Sequence, residues 1–145
     1  MRFEIRDTTL APEKLRGELL SSHCGGYVSF EGWVRDHHDG KSVKSLEYTS
    51  YQELANKEGN KIIEKALELF DVKDIRCHHR IGHLNIGDMA VYVGVASAHR
   101  DAAFQACRYV IDEIKHTVPI WKEEHYTDES TAWPSSKSSG NNGDH

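Results

Sequence analysis

Two stretches of this chain concentrate side chains that could do chemistry: Ser97-Ala98-His99-Arg100, and the run from Lys115 through Pro119 and Trp121 to Lys122-Glu123-Glu124. In the first, a predicted strand meets a predicted helix. A helix start directs unbonded N–H groups and the positive end of its dipole forward, so His99 and Arg100 there would complete a site for phosphate or carboxylate. The same residues also suit a plain, solvated helix start. In the second, Lys115 and Lys122 flank a helix-ending proline and a tryptophan. Beside apolar walls and other cations a lysine loses proton affinity and can act as base, acid or amine nucleophile near neutral pH. Lysines at helix ends also commonly just face water. Arg35, at the end of a predicted strand and beside His37-His38, could grip an anion through two parallel hydrogen bonds, or simply lie on the surface beside a turn.

Other chemistries find less support. His37-His38 and His78-His79 do not suggest a metal, because neighbours on a strand point to opposite faces and no Cys or carboxylate spacing completes a ligand set. Gly25-Gly26 and Gly82 fall in neither the G-x-G-x-x-G nor the G-x-x-x-x-G-K-[ST] pattern of nucleotide loops. No Ser or Cys stands in an activated-nucleophile motif. Any reaction must therefore use lysine, or a nucleophile brought by a partner.

The elements that must position these groups can be read from periodicity. Arg2 to Thr8 fits a first strand, and Pro12 opens a helix through Leu19-Leu20, since proline is tolerated in a first turn. Tyr27 to Arg35 is patterned as a strand. The Asp39-Gly40 turn then leads to a second strand over Val43 to Tyr51, which suggests a hairpin with a loop longer than two residues. Leu54, Ile62, Ile63, Ala66, Leu67 and Phe70 recur at helical spacing and predict one long amphipathic helix, loosened near Gly59. Ile75, Cys77, His79 and Ile81 alternate with Arg76, His78 and Arg80 as in a half-buried strand. A turn over Gly82 to Gly87-Asp88 precedes an apolar strand, Met89 to Ala96. Ala103, Ala106, Cys107, Val110, Ile111 and Ile114 then mark the buried stripe of a helix that Pro119 stops. The order β-α-β-β-α-β-β-α predicts an α+β domain with an antiparallel or mixed sheet and about three helices.

Size and charge set the outer bounds. The 145 residues fit one domain over residues 1–134, and the Ser-, Gly- and Asn-rich residues 135–145 predict a disordered tail. A net charge of −5 argues against a non-specific grip on nucleic acid. No apolar run approaches the length needed to cross a bilayer, and Met1 leads into a charged, alternating segment, so no membrane span is predicted and the cytoplasm is the expected address. Cys24, Cys77 and Cys107 are odd in number and widely spaced, as reduced packing thiols would be.

Taken in order, Phe30-Glu31-Gly32-Trp33-Val34-Arg35, Leu46-Glu47-Tyr48 with Tyr51, His79-Arg80-Ile81-Gly82, Ser97-Ala98-His99-Arg100 with Ala103-Phe104, and Lys115 through Pro119-Ile120-Trp121-Lys122-Glu123 resemble the catalytic subunit family of molybdopterin synthase. The likeness runs from about Arg2 to Trp133. It implies an α/β hammerhead fold and a sulfurtransferase without a resident cofactor or metal. It also implies a homodimer within a heterotetramer, with a small ubiquitin-like sulfur carrier at each end. The carrier's C-terminal Gly-Gly thiocarboxylate would give sulfur to cyclic pyranopterin monophosphate, two rounds making the molybdopterin dithiolene. Position by position, Lys115 and Lys122 match the family's pocket lysines. Lys115 would handle proton transfer or the acyl carbon left as sulfur departs, and Lys122 would orient thiocarboxylate or substrate. His99, Arg100 and Arg35 match the groups that hold the substrate phosphate, and Phe30 a wall residue. Some of these groups would come from the opposite protomer.

The chain departs from the family pattern where Trp133 is followed by Pro134 instead of valine. A basic residue expected just beyond matches only Lys137, which lacks arginine's planar fork. This departure motivates a second reading, a non-catalytic dimeric module that docks a ubiquitin-like carrier or a small anion.

Overall fold

The computed structural model describes residues 1–128 and the backbone of residues 131–132. Trp133, Pro134, Lys137 and the expected tail lie outside the described residues. Within them the elements run β1 (Phe3–Arg6), α1 (Pro12–Leu19), β2 (Gly26–Trp33), β3 (His37–His38), β4 (Lys41–Ser50), α2 (Gln52–Leu69), β5 (Asp74–Arg80), β6 (Gly82–Asn85), β7 (Met89–Ser97), α3 (Arg100–Thr117), β8 (Ile120–Tyr126) and β9 (Thr131–Ala132). This is the α+β fold that the sequence predicts.

One sheet has the order β1-β5-β7-β2, with β1 and β5 parallel and the other pairs antiparallel. In the second sheet β4 is the hub: β8 pairs along one edge and β3 and β6 along the other, with β9 beyond β8. α2 and α3 pack on the first sheet through the predicted stripes, so Ile63, Ala66, Ala103, Ala106 and Val110 are fully enclosed with Ile75, Val93 and Val95.

The outer edge of β1 would expose unpaired amides, a hazard for any edge strand. α2 covers it with two asparagines. The Asn60 side-chain oxygen accepts from the Phe3 amide at 3.0 Å, its nitrogen donates to the Phe3 carbonyl at 3.0 Å, and the Asn56 oxygen accepts from the Ile5 amide at 2.9 Å. Between them Gly59 leaves a notch for the Phe3 ring, so the helix is not loosened there. A Cβ on Gly59 would stand 2.2 Å from Phe3 Cδ1, and the ring is fully buried with nowhere to swing. Gly59→Ala should therefore destabilise the protein by about 1–3 kcal/mol from overpacking, despite alanine's better helix propensity. A lowered melting midpoint checks this, and an unchanged or raised midpoint would contradict the notch.

Three local expectations are corrected. The Asp39-Gly40 hairpin has a two-residue loop, with both residues at positive φ (51° and 79°), and it joins β3 to β4 instead of β2 to β4. The stretch read as a turn from Gly82 holds β6, because Leu84 is drawn into the core by pairing with Leu46 of β4; glycines at positive φ, Gly82 and Gly87, bracket it. Beyond Pro119, where no element was predicted, β8 runs alongside β4. The lack of an apolar–polar alternation hid it, since the inward positions Lys122 and Glu124 are charged.

Candidate active site

The predicted site residues fall into three clusters. At the start of α3 the buried Ser97 hydroxyl donates to the His99 carbonyl at 2.7 Å and accepts from the His99 amide at 3.3 Å, which fixes the turn from β7 into the helix. His99 stands at the N-cap in an extended conformation without a side-chain cap. The first α3 amides are thus not occupied by a capping side chain, and His99 and Arg100 are exposed beside Gly25 and Asp101 in an open depression. Gly26 allows β2 to begin against this corner, since a Cβ there would meet Arg100 Cα at 3.3 Å.

The second cluster is a groove between β2 and α3, lined by Val28, Phe30, Phe104, Cys107, Ile111 and Lys115. Lys115, in the last turn of α3, is only 8% exposed, whereas Phe104 at the groove's rim is 59% exposed. The predicted wall residue Phe30 and the predicted lysine therefore line one groove.

The third is a narrow cleft that holds Arg35 and Lys122 together, with Trp33, Val34, His38, Leu46, Tyr48 and Glu124. Lys122, Glu124 and Tyr126 occupy alternate positions of β8 and all point inward. Lys122 Nζ lies 4.0 Å from Glu124 Oε2, His38 Nδ1 approaches the same oxygen at 2.8 Å, and the Tyr126 hydroxyl donates to Glu124 Oε1 at 2.8 Å. Burial, and then the Glu124 carboxylate, push the Tyr126 phenol up to about 12, so it stays a donor. A lysine and a glutamate both under 5% exposed are tolerated because each offsets part of the other's desolvation.

The charges of the two lysines act on His79. This ring, on the inward face of β5, is 2% exposed, and its Nδ1–H donates to the Arg80 carbonyl at 2.9 Å. It meets the edge of Tyr48 with centroids 5.0 Å apart, and Tyr48 is the cross-strand partner of Lys122. Burial pushes the imidazole down to about 4; the Arg80 carbonyl opposes this, and the charges of Lys115 and Lys122 reinforce it. Between about pH 6.5 and 4 an unfolded chain binds a proton at His79 that the folded chain refuses, so stability falls as pH falls through that window. The loss should reach about 3 kcal/mol at its acid end. Urea unfolding of the native chain and of His79→Gln at several pH values checks this: the acid-side loss should shrink in the variant, and parallel profiles would contradict it.

Neither His79, Glu124 nor His38 was assigned a role from the sequence, although the alternation of Lys122, Glu124 and Tyr126 along one segment was a usable signal. Within one chain the anion cluster does not reach the lysines. Arg100 and Lys115 are separated along a continuous helix by fifteen residues, about 22 Å at 1.5 Å per residue. Lys137 lies outside the described residues.

Known proteins share this architecture. The MoaE protein family matches residues 5–117. The molybdopterin synthase catalytic subunit of Pyrococcus abyssi is 44% identical over 115 residues, covering 79% of this chain and 77% of that protein. The crystal structure of molybdopterin synthase from Staphylococcus aureus superposes with a TM-score of 0.88 at 34% identity, covering 94% of this chain and 98% of that one. A complex of subunits 1 and 2 of the molybdopterin-converting factor from Helicobacter pylori shares the fold, with a TM-score of 0.76 at 22% identity over 93% of this chain and 91% of that one. On sequence and structure alike, this chain belongs to the MoaE protein family, alongside the molybdopterin synthase catalytic subunits.

Proposed function

We propose that this chain works in the cytoplasm as the catalytic subunit of a molybdopterin synthase, passing sulfur from the C-terminal Gly-Gly thiocarboxylate of a small ubiquitin-like carrier to cyclic pyranopterin monophosphate. The observation that carries this reading is the pair of lysines, Lys115 and Lys122, both buried and supplied by two different elements, α3 and β8. Buried amines of this kind suit proton transfer and charge stabilisation in a site from which water is largely excluded. The groove that leads to Lys115 past Phe104 and Phe30 is largely apolar, with Ser29, Arg108 and Asp112 also in its lining, and runs between a strand and a helix, a form suited to an extended, glycine-ended peptide. The two-subunit complex from Helicobacter pylori, which has this fold, supports a small-subunit partner.

In this reading the thiocarboxylate is the nucleophile. Its sulfur bonds to the substrate, and water then adds to the acyl carbon, breaking the C–S bond and releasing the carrier as a carboxylate; Lys115 handles proton transfer or the acyl carbon in these steps, and Lys122, held by Glu124, orients the thiocarboxylate or the substrate. His99 and Arg100 hold the substrate phosphate at the start of α3, and Arg35 contributes from the rim of the Lys122 cleft. Because Arg100 and Lys115 stand at opposite ends of one helix, the His99–Arg100 pair and the lysines that act on one substrate come from two protomers of a homodimer, with Arg35 on the lysines' side. With a carrier on each protomer the assembly is a heterotetramer. The test is to combine the purified chain with thiocarboxylated carrier and cyclic pyranopterin monophosphate and to assay molybdopterin. Sustained dithiolene formation is expected; carrier binding without product would replace this reading with that of a docking module.

A further inference from the structure

His79 has features that simple packing does not require. Its backbone is held on both sides, opposite Ile5 of β1 and Val91 of β7, so the ring cannot be re-aimed by strand movement. The Nδ1–H bond to the Arg80 carbonyl fixes the tautomer and leaves the lone pair on Nε2, on the far side of the ring. The ring lies where the two sheets meet, edge-on to Tyr48 of β4. Directly opposite Tyr48 is Lys122, and opposed residues on an antiparallel pair share a face. The charged groups that act on His79 are Lys115 and Lys122, one from α3 and one from β8. A leucine or phenylalanine would fill the volume at lower desolvation cost than an imidazole. What the imidazole adds is an uncharged acceptor beside two cations.

We propose that His79 is a positioning residue for sulfur transfer, whose neutral Nε2 helps to hold the Lys122 ammonium, on the strand opposite Tyr48, in the arrangement the reaction needs without adding charge to the site. This inference rests on the sulfur-transfer reading above. Protonation would place a third positive charge beside the two lysines, and the depressed proton affinity of His79 keeps the ring neutral through the neutral range.

The test uses three replacements. His79→Gln keeps an acceptor near the position of Nε2, His79→Asn keeps only the donor to the Arg80 carbonyl, and His79→Leu keeps neither. In the reconstituted assay, kcat should fall by about tenfold to a hundredfold in the Asn and Leu variants, with KM for the pterin little changed, while Gln restores most of the loss. Native kcat in folded Asn and Leu variants would overturn the proposal, as would losses that follow melting temperature equally in all three. A second readout does not need turnover: imidazole 15N NMR of the native chain should show the neutral Nδ1–H form at pH 7. The His79 titration midpoint should rise in Lys115→Ala and in Lys122→Ala. An Nε2–H form, or a midpoint indifferent to both lysines, overturns the positioning role even if the native chain makes no product, an outcome that would itself count against the sulfur-transfer reading.

Discussion

Lys115→Ala should fold, dimerise and bind carrier, yet form molybdopterin about 10²- to 10⁴-fold more slowly than the native chain, the span that one positioned acid or base contributes. The stability effect should be small by comparison. Lys115 lies in the last turn of α3, where a cation is favoured by the helix dipole, but its burial carries a desolvation cost that alanine removes. Lys115→Arg separates proton transfer from simple charge: a guanidinium keeps the positive charge but does not release a proton near neutral pH. Single-turnover assays of both variants, with melting curves as a fold control, decide the matter. Activity near native in Lys115→Arg would reassign the residue to electrostatic anchoring, and activity near native in Lys115→Ala would remove it from the mechanism.

The second large effect concerns the two ends of α3. Arg100→Ala alone should lose most activity through weakened phosphate binding, and Lys115→Ala alone through lost chemistry. If one substrate is served by Arg100 of one protomer and Lys115 of the other, mixing the two inactive variants under exchange conditions rebuilds one intact site in every mixed dimer. Random exchange makes half the dimers mixed, so about a quarter of native activity should return. No recovery despite verified exchange would mean that Arg100 and Lys115 act on the same substrate within one chain, which the rigid length of α3 opposes, or that Arg100 is not a substrate ligand.

Much of the scaffold was legible from periodicity because its main helices and the strands of the first sheet bury clean apolar stripes. The stripe from Ala103 to Ile114 predicted α3 to within a few residues, and Pro119 predicted its end. The second sheet was harder. β6 owes its existence to pairing with β4 and carries only Leu84 as an inward anchor, while β8 places Lys122 and Glu124 where a core strand would carry valine. Polar residues at inward positions erase the alternation on which strand reading depends. The candidate site showed the same division. Spacing exposed His99-Arg100 and Lys115, whose places at helix ends have a local signature. It could not show that the charges of Lys115 and Lys122 both act on a buried His79, since that depends on how α3, β5 and β8 come together.

The two-residue repeat of Lys122, Glu124 and Tyr126 in β8 makes the polar half of the site a matter of parity. Trp121, Glu123 and His125 face the other way and can drift individually without carrying the inner row with them. A single inserted or deleted residue between Pro119 and Lys122 would instead invert all three inner side chains together unless a bulge absorbed it. This short segment should therefore diverge among descendants by substitution at its outward positions while holding its length, a constraint imposed by the pleat of the strand.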